Sequence, residues 1–278
     1  MTPAAEAKAR ENGDPAYLII DTESVPDGKL LAAVKHPGEN VAPEEAVRRL
    51  QDDLRAKSSS GSDFVPVPFQ FPVAICILRV GADFGLQAVT RVDEPHYKPR
   101  QIVEQFWSGL AKMLEKYKGR VRLVSFNGRG FDLPLLEMAA FRYGCTFPPA
   151  YTQSRKRFDS MHIDVMEFLS NYGAIRMGLG QNVLSKLLGK PGKMEVSGNQ
   201  VYPMFLEGKL DAINDYCMFD TLDLYFVFLR TRVMTGELTL AREHELVLKA
   251  KEFLTARVEQ IPALRRYLDS WGDWNPWP

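Results

Sequence analysis

Ser125-Phe126-Asn127-Gly128-Arg129-Gly130-Phe131-Asp132 is the stretch on which the reading of this chain turns. An apolar run, Val121 to Phe126, enters it as a strand, two glycines open a turn, and a carboxylate stands where the next helix begins. That helix is expected over Pro134 to Tyr143, where Leu135, Met138, Ala139 and Arg142 recur at helical spacing. The glycines allow φ > 0 and close approach of a ligand to the backbone. A plain strand–turn–helix with Asp132 as its N-cap would carry the same residues. Either way the segment is a β–turn–α unit with an acid at its hinge.

Two further segments resemble it in design. Tyr17-Leu18-Ile19-Ile20 is a β-rich apolar run, read as a buried first strand, and it ends in Asp21-Thr22-Glu23. Positions i and i+2 of a strand share a face, so both carboxylates point the same way. A charge at the end of a core strand is costly unless paired or bound to a metal, although Asp-x-Glu alone also fits a solvated strand end. The third segment, Tyr216-Cys217-Met218-Phe219-Asp220, lies in a long helical run from about Asp211 to Met234, closed by Gly236. Tyr216 and Asp220 are four apart and share one helical face. Taken alone, that pair is better read as a tyrosine packed on the core and an aspartate in water.

The rest of the chain frames these segments. A helix is expected over Pro43 to Lys57, a loop over Ser58 to Asp63, and a hairpin from Val73–Val80 and Leu86–Val92 joined through Gly81 to Gly85. Pro99 to Tyr117 carries a helical stripe of Ile102, Phe106, Leu110, Met113 and Leu114, and another helix is expected over Thr239 to Val258. Strands first, then alternation, then helices indicate one α/β domain over 17–258 with a helical C-terminal half. Residues 1–16 read as a mobile polar tail and 259–278 as a tryptophan- and proline-containing tail.

Composition excludes several classes. Of 278 residues, 45% are hydrophobic and 25% charged, enough for a sizeable core without disulfides. The three cysteines form no CxxC pair, so a zinc knuckle or disulfide framework is not indicated, and a reducing, cytoplasmic setting fits. No leader peptide or membrane span is expected. The 35 basic and 35 acidic residues cancel, which argues against a general electrostatic coat for nucleic acid but not against gripping one strand end.

Together, and in order, the three segments resemble the three motifs of the DEDDy group of 3′→5′ exonucleases, most closely stand-alone bacterial proteins related to the proofreading domain of family B DNA polymerases. The resemblance runs from about Tyr17 to Arg232 and includes Leu187-Leu188-Gly189-Lys190-Pro191-Gly192-Lys193-Met194. Phe-Asn-Gly followed by Phe-Asp is its most specific part. It implies a ribonuclease-H-like fold, a central mixed sheet flanked by helices. It also implies hydrolysis of phosphodiester bonds at the 3′ end of a single strand, DNA favoured, by a two-metal-ion mechanism with Mg²⁺ or Mn²⁺. Two such ions about 4 Å apart activate water and stabilise a leaving oxyanion, and they take hard oxygen ligands. By the family pattern Asp21 would bridge both ions, Glu23 and Asp220 would hold the one carrying the attacking water, and Asp132 would support the second, through water. Tyr216 would aim the nucleophilic water, and Asn127 and Phe131 are the candidate contacts to the terminal nucleotide. Four such carboxylates without metal would raise one another's pKa.

Other residues weigh less. Asp164 suits a helix start, and His162 beside it is read as structural. Asp223 is the rival to Asp220 for the fourth ligand, while Asp215 faces elsewhere. Arg155-Lys156-Arg157, with Lys186, Lys190 and Lys193, could grip phosphates or simply be solvated. The tryptophans of Trp271 to Trp277 could dock a partner or fold back on the domain. An inactive binding module of the same fold and an exoribonuclease are the alternatives to a DNA exonuclease.

Overall fold

The computed structural model describes residues 14–155, 161–174, 180–194 and 198–272. In chain order the first elements are β1 (Pro15–Pro26), α1 (Gly28–Lys35), α2 (Pro43–Lys57), β2 (Gln70–Gly81), β3 (Leu86–Arg91) and α3 (Pro99–Lys116). They are followed by β4 (Arg122–Ser125), α4 (Asp132–Tyr143), α5 (Pro149–Ser154), β5 (His162–Asp164) and α6 (Val165–Leu169). The C-terminal part is helical: α7 (Gln181–Leu187), α8 (Gly198–Leu206), α9 (Leu210–Met234), α10 (Leu240–Thr255) and α11 (Ala263–Asp269).

The strands form one sheet in the order β3-β2-β1-β4-β5. β1 is antiparallel to β2 and parallel to β4, β2 is antiparallel to β3, and β4 is parallel to β5. The sheet is therefore mixed, with β1 at its centre. Alternation along β1 divides the core into two layers. Tyr17 and Ile19 face Cys217, Met218 and Phe228 of α9, whereas Leu18 and Ile20 face Ile102 and Phe106 of α3 and Leu133 and Leu136 of α4. Because α9 is packed against the sheet on one side and other helices on the others, it is apolar nearly all round.

The hairpin closes through Gly81 and Gly85, whose backbones are hydrogen-bonded at 2.9 Å. Phe84 there adopts φ 67° and buries its ring against Tyr17. Three differences from the sequence expectations concern the ends of elements. β1 starts at Pro15, inside the stretch read as a tail, because Pro15 pairs with Gly81 of β2. α1 was not expected; it is capped by the Asp27 side chain, which accepts from Leu30 N at 3.0 Å. Past residue 258, α11 buries Leu264 and Tyr267, and Trp271 packs on Phe226 and Tyr267. That part of the C-terminal stretch folds back on the domain; Trp274 and Trp277, like residues 1–13, lie outside the described residues. Among the described residues no helix is long and apolar enough to cross a membrane.

Candidate active site

Asp21 and Glu23 project from the face of β1 that meets α9, and Thr22 between them projects from the other. Tyr216 and Asp220 occupy one stripe of α9. The helix is fixed at this point: Cys217 Sγ donates to the Asp21 carbonyl at 3.3 Å, and Gln181 Nε2 of α7 donates to the Asp220 carbonyl at 2.6 Å. As a result, carboxylate oxygens of Asp21, Glu23 and Asp220 all lie within 4.8 Å of one another. Asp132, the first residue of α4, stands outside that tight group and is buried. Thr22 joins it to β1, donating from Oγ1 to Asp132 Oδ1 at 2.6 Å.

Four acids drawn from three elements are all held above the usual carboxylate range, by burial first and, for Asp21 and Glu23, also by their neighbours' charges. Burial and the charges of Asp132, Glu23 and Asp220 hold the Asp21 carboxyl well above the usual range. Burial and the charges of Asp220 and Asp132 do the same to Glu23. Asp132 and Asp220 are each pushed up to about 6, chiefly by burial. Partly offsetting this, Thr22 hydrogen-bonds Asp132, Tyr216 hydrogen-bonds Asp220, and the Lys193 ammonium favours the ionised forms of Glu23 and Asp220. The Tyr216 phenol is itself pushed upward, by burial and then by the neighbouring Asp220 and Glu23 charges. It therefore stays protonated at neutral pH. An all-oxygen donor set with more negative charge than one lysine offsets fits hard divalent cations and offers no soft ligand.

The turn before Asp132 is built differently from its sequence expectation. The left-handed residue is Asn127, at φ 61°, and neither Gly128 nor Gly130 has a positive φ. Asparagine tolerates that region better than most residues. The glycines are there for space: a Cβ on Gly128 would lie 2.1 Å from Ser125 Oγ, and one on Gly130 would lie 2.7 Å from Asn127 Oδ1. Asp164 grips the same turn. Its carboxylate accepts from Asn127 N at 2.9 Å and Arg129 N at 3.0 Å, while capping α6 through Met166 N and Glu167 N at 3.1 and 3.2 Å. The cap was legible in sequence; the long-range grip was not, since nothing local joins residue 164 to residue 127. His162 is structural: Ser125 Oγ lies 2.8 Å from its Nε2, and burial lowers its pKa to about 4.

The rival groups point away. Asp223 is buried and accepts from the Tyr267 hydroxyl at 2.7 Å, on the side of α9 facing α7 and α11. Asp215 pairs with Arg91 at 2.8 Å. Lys190 is buried with its Nζ 4.6 Å from the Trp271 ring centre and 5.0 Å from that of Phe226, so it is not placed to meet a strand. Arg155 pairs with Glu137 at 3.2 Å, and Lys156 and Arg157 lie outside the described residues. Among the described residues of that basic group, Lys193 is the one whose charge bears on Glu23 and Asp220. No spacing rule marked it, because its position depends on how the loop after α7 returns to the sheet.

A mixed sheet ordered 3-2-1-4-5, helices on both faces and a helical C-terminal half make this a ribonuclease-H-like α/β protein, with an acidic cluster on its central strand. Residues 62–271 match the model of a family described as predicted 3′-5′ exonuclease related to the exonuclease domain of PolB, and the chain belongs to that family. The matched range holds Asp132, Tyr216 and Asp220 and begins after β1, whose Asp21 and Glu23 enter the same cluster through the sheet. No curated protein matches the chain significantly.

Proposed function

We propose that this chain is a divalent-metal-dependent 3′→5′ exonuclease of the DEDDy type, acting as one domain from β1 to α11 on the 3′ end of a single strand. The observation that carries the proposal is the convergence of Asp21, Glu23 and Asp220, from β1 and α9, with their oxygens within 4.8 Å and their proton affinities raised. Such a group is unstable as an isolated cluster of anions and well suited to cations. Asp21, Glu23 and Asp220 would hold one Mg²⁺ or Mn²⁺ ion; Asp21 with Asp132 would hold a second. Bound there, such ions supply an activated water and charge neutralisation at the leaving oxygen.

The chain's own groups do the rest. Hydrolysis joins the water oxygen to phosphorus and breaks the bond from phosphorus to O3′, releasing a nucleoside 5′-monophosphate and leaving a 3′-hydroxyl on the strand. Tyr216, protonated and hydrogen-bonded to Asp220, would orient that water without serving as its base. Thr22 fixes Asp132, and Asp164 fixes the turn that delivers it. Asn127 and Phe131 would contact the terminal nucleotide. The family's relation to PolB favours DNA over RNA, and the free cysteines suit a reducing, cytoplasmic setting.

The test is a time course on a 5′-labelled single-stranded DNA oligonucleotide with Mg²⁺ or Mn²⁺, beside Asp21→Ala and an EDTA control. A ladder shortening from the 3′ end, lost in both controls, is expected. Binding of the strand with no shortening of DNA or of a matched RNA would refute the enzyme and leave an inactive binding module.

A further inference from the structure

Lys193 stands on an irregular loop after α7, residues 188–194, so its reach to Glu23 and Asp220 depends on what fixes that loop. The loop turns through two left-handed glycines, Gly189 at φ 65° and Gly192 at φ 60°. On one side α7 closes on it: a Cβ on Gly192 would lie 2.5 Å from Asn182 Oδ1, and the same oxygen accepts from Lys193 N at 2.7 Å. On the other side the restraints come from the far end of the chain. Tyr267 of α11 is fully buried and donates to Asp223 Oδ1 at 2.7 Å, across 44 residues, and the Gly192 amide bonds to the same carboxylate. The Tyr267 ring also stacks on Phe219, the residue before Asp220, with centres 5.5 Å apart. Four residues on, Trp271 lies over the Lys190 ammonium, which is buried and has no hydrogen-bond partner among the described residues. The backbone then passes so near the loop that a Cβ on Gly272 would be 3.3 Å from the Gly189 carbonyl oxygen.

We infer that Asp223, Tyr267 and Trp271 are positioning residues, a latch by which the C-terminal segment holds the 188–194 loop and sets Lys193 at the carboxylates. This rests on the exonuclease proposal and deepens it. A lysine is a point charge on a flexible stem, and its effect on a carboxylate falls as the distance grows. Its backbone must therefore be held, and a loop of two left-handed glycines has the freedom to wander unless other segments restrain it. Asp223, too far round α9 to join the acidic cluster, then serves the site through the loop instead.

The test is a double-mutant cycle on the full chain, reading kcat and KM for shortening of a 5′-labelled single strand in Mg²⁺, with amide hydrogen exchange of residues 188–194 on the same proteins. Tyr267→Phe and Trp271→Ala should each lower kcat by about fivefold or more with little change in KM, and should speed exchange of the loop. Added to Lys193→Met, neither should lower kcat further, because the ammonium they position is already gone. Tyr225→Phe is the control: it removes an equally buried bond from α9, to the Phe84 carbonyl at 2.9 Å on the hairpin side. It should leave the loop's exchange unchanged, and any loss of rate it causes should add to that of Lys193→Met. Latch variants that leave kcat or the loop's exchange unchanged, or whose losses add to that of Lys193→Met as the control's do, overturn the positioning role alone. So does a Lys193→Met protein as fast as the wild type. A wild type that shortens no strand overturns the latch and the exonuclease proposal together.

Discussion

Tyr216 is the residue whose proposed role the electrostatics narrow most. Burial and the charges around it keep its phenol protonated, so it can orient water but cannot act as a base at neutral pH. Tyr216→Phe should lower kcat by about tenfold or more, as loss of positioning does, with little change in KM. Over pH 6 to 9 the shape of the rate profile should stay as in the wild type. Steady-state kinetics across that range check this; a basic limb that vanishes in the phenylalanine variant would show the phenol to be the proton acceptor instead.

At the scale of elements, the site depends on a turn held by a residue outside it. Asp164 caps α6 and receives two amides from the turn before α4, so one carboxylate serves four backbone donors. Removing it should cost about 2–4 kcal/mol, a lost cap plus two further charge-assisted hydrogen bonds. For a domain of this size that is roughly 5–15 °C in Tm. Asp164→Ala should also reduce kcat, because Asp132 sits at the end of the loosened turn, and Asp164→Asn should recover part of both. Thermal unfolding beside the exonuclease assay tests this; an unchanged Tm would mean the grip contributes nothing. The half of this arrangement within one segment, the helix cap, is readable from residues 164 to 167. The other half is not, because it joins two strands paired only in the sheet.

For the whole molecule, the acids make stability depend on pH and metal together. Asp132 and Asp220 titrate at about 6, and Asp21 and Glu23 are also raised, whereas unfolded carboxyls titrate near 4. Between about pH 4 and pH 7 these four carboxyls therefore bind more protons in the folded chain than in the unfolded one, outweighing the opposite effect of the single His162, and raising the pH removes stability. In EDTA, Tm should fall by roughly 5–10 °C from pH 5 to pH 8, with the fall reduced in Asp21→Asn. Mn²⁺ should restore Tm at pH 8 and do little at pH 5, where protons compete for the same oxygens. Calorimetry at the two pH values checks this, and a metal-free Tm that is flat or rises with pH would contradict it.

What the sequence determined by itself was local: the strand carrying Asp21 and Glu23, though it runs on to Pro26 rather than ending there, the glycine turn into Asp132, and the Tyr216–Asp220 helical face. Each follows from a period of two or of 3.6 residues and from turn chemistry, which act over a few neighbours. Even there, Asn127 rather than a glycine took the left-handed conformation, because the glycines were needed where Ser125 and Asn127 press on the turn. Only the tertiary structure decided which acids meet, that Asp223 turns to Tyr267, that Lys190 is buried under Trp271 while Lys193 faces the cluster, and that Phe64 lies on Phe131. These outcomes depend on strand order and on where long loops return to the sheet. Both are set by packing between segments far apart in the chain, which no local spacing records.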